Sequence, residues 1–374
     1  MNVQDKFAAW RHDLNASLIE REAEVDICLT AMVSRKNCLL VGPPGTGKTM
    51  LAEAITSGIS GGVAFNHLIT ATTEPRELFG PLNFMALKDG RNEHVTHGTL
   101  PEAHVAFLDE IFKGSSAILN TLLRILNERK FKNGTVDLPC PLKLAISASN
   151  EYPNPQEDGQ ALNAIFDRFL LRRTVKTISS QQGRDRLVFG GDLTPNLSVT
   201  ITPDEIDQAH AEAEFLEFNQ DAREAYWKIV NKCNSEGVYP GDRRMKFSHM
   251  ACQAFAYVCG ATAYVEPEHL EILTTILWDE PGEQARIVEQ VVAEVANPVG
   301  MQINSLLMEV EEIRRKHDYQ DLSQAATASS QLQEIGEKLK TLQDKGNGRA
   351  KAALQVVRDE LKANRDATLM AIDV

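Results

Sequence analysis

The chain has 374 residues, of which 43% are hydrophobic and 24% charged. That length suggests two or three domains, and the balance is ordinary for a soluble globular protein. A formal net charge of −13 argues against a nucleic-acid binder working through bulk charge, while leaving room for a local basic channel. No stretch approaches the run of about 20 apolar residues that a membrane span needs. Residues 1–6 lack the charged-then-apolar layout of a signal peptide, so a cytoplasmic location is expected. The six cysteines form no C-x-x-C pair. Cys252 and Cys259 would share one helix face, and core packing is expected for them rather than zinc.

Helices are predicted over 5–18 and 23–34, the second with Val25, Cys28, Leu29, Met32 and Val33 on one face. Asn37-Cys38-Leu39-Leu40-Val41 reads as a buried strand. It runs into Gly42-Pro43-Pro44-Gly45-Thr46-Gly47-Lys48-Thr49, which fits the phosphate-binding pattern G-x-x-x-x-G-K-[ST]. A helix follows from Thr49. Such a strand–loop–helix unit surrounds a phosphate with backbone N–H groups and the positive end of a helix. Glycines let the loop wrap closely around an anion. Lys48 would reach the β/γ-phosphates of ATP, and Thr49 would bind Mg²⁺.

A second strand is predicted over 64–69. Thr73 is expected to cap a short helix with Pro75 in its first turn. Residues 83–87 and 93–96 read as two strands joined across Lys88-Asp89-Gly90-Arg91, an inserted hairpin. His94 and His97 lie three apart on such a strand and face opposite sides, which speaks against a zinc site. His104-Val105-Ala106-Phe107-Leu108-Asp109-Glu110 is an apolar strand ending in two acids. Asp109 would hold Mg²⁺, and Glu110 would activate the water that attacks the γ-phosphate. A helix over 115–127, an Asn-Gly hairpin near Phe131 and a strand over 142–147 lead to Asn150. That amide would stand beside the phosphate loop, where it could bond the γ-phosphate or the attacking water. Arg168 lies between a helix and a strand over 169–175. In a ring it could face a neighbour's γ-phosphate, where a trans arginine stabilises phosphoryl transfer.

From about Ser179 strand signals nearly vanish. A linker-like patch spans 190–196, and helices are predicted over 203–217, 221–236, 242–259 and 267–277. Asp242 is expected to cap the third of these. Arg243 and Arg244 oppose the helix dipole there, which suggests an anionic partner such as bound nucleotide. Beyond Met301, Leu332, Ile335, Leu339 and Leu342 form one stripe, and Leu354, Val357 and Leu361 form another. Gly346-Asn347-Gly348 separates them, as in an antiparallel helical hairpin, and Ile303, Leu306, Leu307, Val310 and Ile313 make a third stripe. The hairpin reads equally as a docking arm or as a packed extension.

In order, 42–49, Phe107-Leu108-Asp109-Glu110, Asn150, Asp167-Arg168-Phe169 and Asp242-Arg243-Arg244 resemble an AAA+ ATPase. The stretches 77–82, 86–91, 98–103, 118–123 and 148–151 look like the MoxR family and, within it, the RavA-like branch. The likeness covers about 18–277. It implies an α/β domain over 1–178 with a five-stranded parallel sheet in the order 5-1-4-3-2, then an all-α lid over 179–290. A helical extension over 291–374 falls outside the resemblance; RavA-like proteins have a β-containing domain beyond the lid, and no strand-rich segment of that kind is visible. The resemblance also implies ATP/ADP and Mg²⁺ as ligands, homo-hexameric rings with nucleotide at each interface, and a protein client remodelled with a von Willebrand factor A (vWA) domain partner. Asn150 would be sensor 1, Arg168 the arginine finger and Arg243 the sensor 2 residue, with Arg244 the alternative. Two other readings remain: a nucleic-acid motor gripping a strand through Lys88, Arg91, Lys130 and Lys132, and a nucleotide-gated scaffold without turnover.

Overall fold

The computed structural model describes residues 1–153, 159–191, 194–317, 319, 321–343 and 348–372. Asp192-Leu193 of the linker-like patch and Gly346-Asn347 of the helical break lie outside them. The chain divides into two compact units, Met1–Glu289 and Gln290–Val374, so the segment expected as a separate lid clusters with the α/β part.

The strands of the first unit are β1 (Cys38–Val41), β2 (Ala64–Leu68), β3 (Val105–Asp109), β4 (Lys130–Asn133), β5 (Val136–Pro139), β6 (Leu144–Ser149) and β7 (Leu171–Thr174), with two-residue strands β8 (Glu217–Phe218) and β9 (Tyr264–Val265). Five of them form one parallel sheet in the order β2-β3-β6-β1-β7, which is 5-1-4-3-2 when these five are counted alone. The central strands β1 and β6 are buried along their whole length, because helices cover both faces of a parallel sheet. The edge strand β2 alternates half-buried and exposed residues instead.

The helices of this unit are α1 (Val3–Ser17), α2 (Glu22–Val33), α3 (Lys48–Ser57), α4 (Pro75–Phe79), α5 (Phe84–Lys88), α6 (Ser116–Glu128), α7 (Gly159–Phe166), α8 (Gln181–Phe189), α9 (Pro203–Glu214), α10 (Gln220–Ser235) and α11 (Asp242–Val258); α12 (Glu283–Ala296) runs across the division. Helix α6 starts at the cap Ser115 and buries Ile118, Leu119, Leu122, Ile125 and Leu126, the stripe its sequence predicts.

Several local expectations are corrected. The insert at 83–96 is not a hairpin. Asn83 accepts from the N–H groups of Met85 and Ala86 and so starts α5, while Asp89-Gly90 ends it, with Gly90 at φ 75°. An Asp-Gly pair serves a helix terminus as well as a hairpin turn. An isolated bridge, Leu82 to His94, joins the two sides of the insert. Glu74, not Thr73, caps α4 through a reciprocal bond with Glu77. Gly241 occupies the cap of α11, so Asp242 is its first helical residue. Residues Pro267–Thr275 form a 3-10 helix, and α8 was not foreseen because its sequence has no apolar face. Cys252 is buried, but Cys259 is exposed at the end of α11.

In the second unit, α13 (Pro298–Lys316), α14 (Leu322–Gln343) and α15 (Gly348–Ile372) follow one another. The three predicted stripes meet: Ile303, Leu306, Val310 and Ile313 share a core with Leu332, Ile335, Leu339 and Leu342 and with Leu354 and Val357. The stripes therefore pack on one another, and the arm is a three-helix unit. No helix among the described residues is long and apolar enough to cross a membrane.

Candidate active site

The loop between β1 and α3 is shaped by close contacts. A Cβ on Gly42 would stand 2.3 Å from the carbonyl oxygen of Val175, so no larger residue fits. Gly45 and Gly47 have φ of 77° and 81°, which L side chains rarely adopt. Lys48 opens α3 and is buried. Its Nζ donates to the carbonyls of Gly42 (2.6 Å) and Pro43 (3.0 Å) and to Asn150 Oδ1 (3.2 Å). Burial lowers its pKa, against the opposing pull of Asp109 and Glu110. Pro43, Pro44, Gly45 and Thr49 are exposed along the mouth of the loop, with Thr46 buried beneath.

Asp109 ends β3 and Asn150 follows β6. Because β6 lies between β1 and β3 in the sheet, Asn150 stands between the loop and the acid pair. Its Nδ2 donates to Glu110 Oε1, while its Oδ1 accepts from Lys48. Glu110 has left-handed backbone angles, φ 52° and ψ 43°, and its N–H bonds Asp109 Oδ1 at 3.0 Å. Such a conformation costs a non-glycine residue on the order of 1 kcal/mol and is found where a site needs it. Lys113 Nζ lies 3.3 Å from the other Glu110 oxygen. A glycine cradle, a buried ammonium and two carboxylates fit a triphosphate bound with a divalent cation, and Thr49 and Asp109 are the residues that would hold that cation.

Arg168 and Arg243 lie elsewhere. β7 pairs with β1 in parallel, Cys38 opposite Leu171 and Val41 opposite Thr174. The loop leaves the far end of β1, whereas Arg168 precedes β7. About 10 Å of strand separates those two edges. At the near edge a cavity of about 70 Å³ is lined by Arg35, Lys36, Arg168, Arg243 and Arg244 around Asp167. Asp167 pairs with Arg168 at 3.2 Å, Arg243 at 3.4 Å and Arg244 at 3.2 Å. Arg168 Nε is buried without a hydrogen-bond partner. Arg244 is also buried and pairs with Asp279 at 2.5 Å, while Arg243 is 42% exposed and reaches Asn127. The anionic partner expected for the two arginines is thus, in this structure, a pair of aspartates.

Residues 5–211 match the family model for the MoxR domain of the MoxR-vWA-beta-propeller ternary systems. The chain belongs to the MoxR family. These AAA+ ATPases carry a lid, and residues 222–292 of this MoxR chain match the model of the AAA lid domain. The uncharacterized protein MJ0812 of Methanocaldococcus jannaschii is 39% identical over 275 residues, 73% of this chain and 71% of its own. A second protein of that organism, MJ0079, is 34% identical over 86% of this chain and 82% of its own. A crystal structure of a Cytophaga hutchinsonii protein superposes with a TM-score of 0.62 at 16% identity, over 78% of this chain and 95% of its own, and shares the fold.

Sequence reasoning passed over three side chains of this MoxR domain. Lys113 is one turn past Glu110 in a segment that reads as a loop. Arg172 on β7 is buried between the rings of Phe166 (4.5 Å) and Trp278 (4.2 Å) and donates to the Trp278 carbonyl, though its Nε and Nη1 find no partner. Burial, and next the nearby Arg244, push its guanidinium well below the usual range. Arg21 binds the back of the phosphate loop. Arg172 and Arg21 have no local sequence signal, because their partners lie far along the chain.

Proposed function

We propose that the chain hydrolyses ATP as a homo-hexameric ring and uses the energy to remodel a protein client together with a vWA-domain partner. The observation that carries the reading is the chain Lys48–Asn150–Glu110, which places an ammonium, an amide and a carboxylate at the mouth of one glycine loop. Lys48 and the loop N–H groups bind the phosphates. Asn150 orients Glu110, and Glu110 takes the proton of the attacking water. Thr49 and Asp109 would hold Mg²⁺, which would supply positive charge against that of the phosphates.

The two edges of the sheet support the ring. Arg168 and Arg243 stand on the edge away from their own loop, so they serve a neighbour's nucleotide. The description of the matched family supports the vWA partner, and the motifs at 77–82 and 98–103 support a RavA-like placement. Phosphate release measured against protein concentration tests the reading: turnover per chain should rise with assembly. Concentration-independent turnover, or none at all, would refute it.

The strand-gripping alternative is disfavoured by the groove between the 83–96 insert and the β4–β5 hairpin. It measures about 600 Å³ and is lined by Arg91, Arg124 and Lys132. Arg91 is engaged by Asp89 and Glu93, and Arg124 by Glu128 and Asp137, so two of these three cations are already neutralised.

A further inference from the structure

Glu20 and Arg21 sit between α1 and α2, outside every motif. Arg21 is buried and its guanidinium meets only main-chain carbonyls. Nε and Nη2 both donate to Thr46 of the phosphate loop, at 3.2 and 2.8 Å. Nη2 also donates to Lys176, just past β7, at 3.0 Å, and Nη1 to Glu20 at 2.6 Å. Lys could not reproduce this planar fork.

Glu20 is held in the left-handed region at φ 53°. That turn sends its carboxylate to the start of α8. One oxygen accepts from the N–H and hydroxyl of Ser179 (2.8 and 3.1 Å), the other from those of Ser180 (2.9 and 2.6 Å). Ser180 is itself the cap of α8. Gly183 completes the fit, since a Cβ there would stand 2.6 Å from Glu20 Oε1. These four bonds hold the carboxyl at a pKa of about 2, the Ser180 hydroxyl contributing most.

We propose that Arg21 is a positioning residue for the phosphate loop and that Glu20 carries the state of that loop to the connector between the sheet and the lid. The physical step is at one peptide unit. In a trans peptide the C=O and the following N–H point in opposite directions. Arg21 pulls the Thr46 carbonyl toward the buried side, and so turns the Gly47 N–H toward the mouth, where a phosphate would lie. The same guanidinium holds Lys176, and the adjoining Glu20 holds Ser179 and Ser180, so a shift of the loop is felt at the start of α8. The inference rests on the reading that this loop binds ATP.

Steady-state ATPase kinetics of the full chain test the first part. Arg21→Met should raise the KM for ATP about tenfold with kcat within about twofold, and Arg21→Lys should fall between it and wild type. A purely structural role predicts the reverse, a smaller active fraction with lower apparent kcat and unchanged KM, and that result would overturn the proposal. Hydrogen exchange tests the second part. Saturating ATP should slow exchange at the Ser179 and Ser180 amides in wild type, and Glu20→Gln and Gly183→Ala should abolish the ATP-dependent change. Exchange that ignores ATP in wild type, or still responds in both variants, overturns the coupling. Wild-type protein that binds no ATP would remove the functional reading and this inference together, whereas normal KM in both Arg21 variants removes this inference alone.

Discussion

Lys48 Nζ donates to Asn150 Oδ1 across 3.2 Å, joining the loop after β1 to the end of β6. The same amide turns its nitrogen to Glu110. A single uncharged side chain therefore spans the loop ammonium and one oxygen of the Glu110 carboxylate, whose other oxygen faces Lys113 at 3.3 Å.

Glu110→Gln keeps the shape of the side chain and removes the base. ATP affinity should stay within about threefold of wild type while turnover falls about 100-fold or more. Nucleotide binding by fluorescence and phosphate release on the same preparation check this. Full turnover in the variant would remove Glu110 from the role.

Lys48 gives a pH signature. Its folded value is lowered by burial from the ordinary 10.5. A bound polyanion favours the charged ammonium, so binding raises that value and takes up a proton in the alkaline range between the two. ATP affinity should then fall as pH rises toward about 10. Calorimetry in two buffers of different ionisation heat measures the uptake, and Lys48→Ala should lose both the uptake and most of the affinity.

Arg168→Ala should leave ATP binding by the single chain intact. In the assembled protein it should lower turnover about 1,000-fold, the scale of a trans arginine acting on phosphoryl transfer. Mixing Arg168→Ala with Glu110→Gln protein offers a sharper check. Each variant supplies what the other lacks, so mixed rings should recover part of the activity. No recovery on mixing would place Arg168 in its own subunit's site.

Gly42→Ala should be far more damaging than its size suggests. Its Cβ would meet the Val175 carbonyl at 2.3 Å, backbone against backbone, so the loop must move away from β7. Overpacking of this kind costs about 1–3 kcal/mol. A lowered Tm together with weakened ATP binding is expected. Gly241→Ala, where a Cβ meets nothing within 4 Å, should change little by the same measurements.

Much of this architecture was readable along the chain. The glycine loop, the apolar strand ending in Asp109 and Glu110, and the stripes of α6 and α14 are local patterns, set by backbone freedom, by burial and by helical period. The insert at 83–96 was misread because Asp-Gly closes a helix and a hairpin equally well, and only the bonds from Asn83 decide between them. Arg243 and Arg244 were visibly out of place at a helix start, but the sequence does not say which carboxylates answer them.

Residue chemistry and order therefore determined, by themselves, that this chain carries a glycine loop of the phosphate-binding pattern, an acid pair, an amide at a strand end and candidate arginines. Tertiary structure decided how they are placed. The order β2-β3-β6-β1-β7 brings Asn150 between Lys48 and Glu110, and the parallel pairing of β7 with β1 sends Arg168 to the opposite edge. The Thr46 carbonyl turns to Arg21 for the same kind of reason. Strand order and long-range hydrogen bonds such as that from Arg21 to Lys176 join residues 155 positions apart, and no local propensity encodes such a partner.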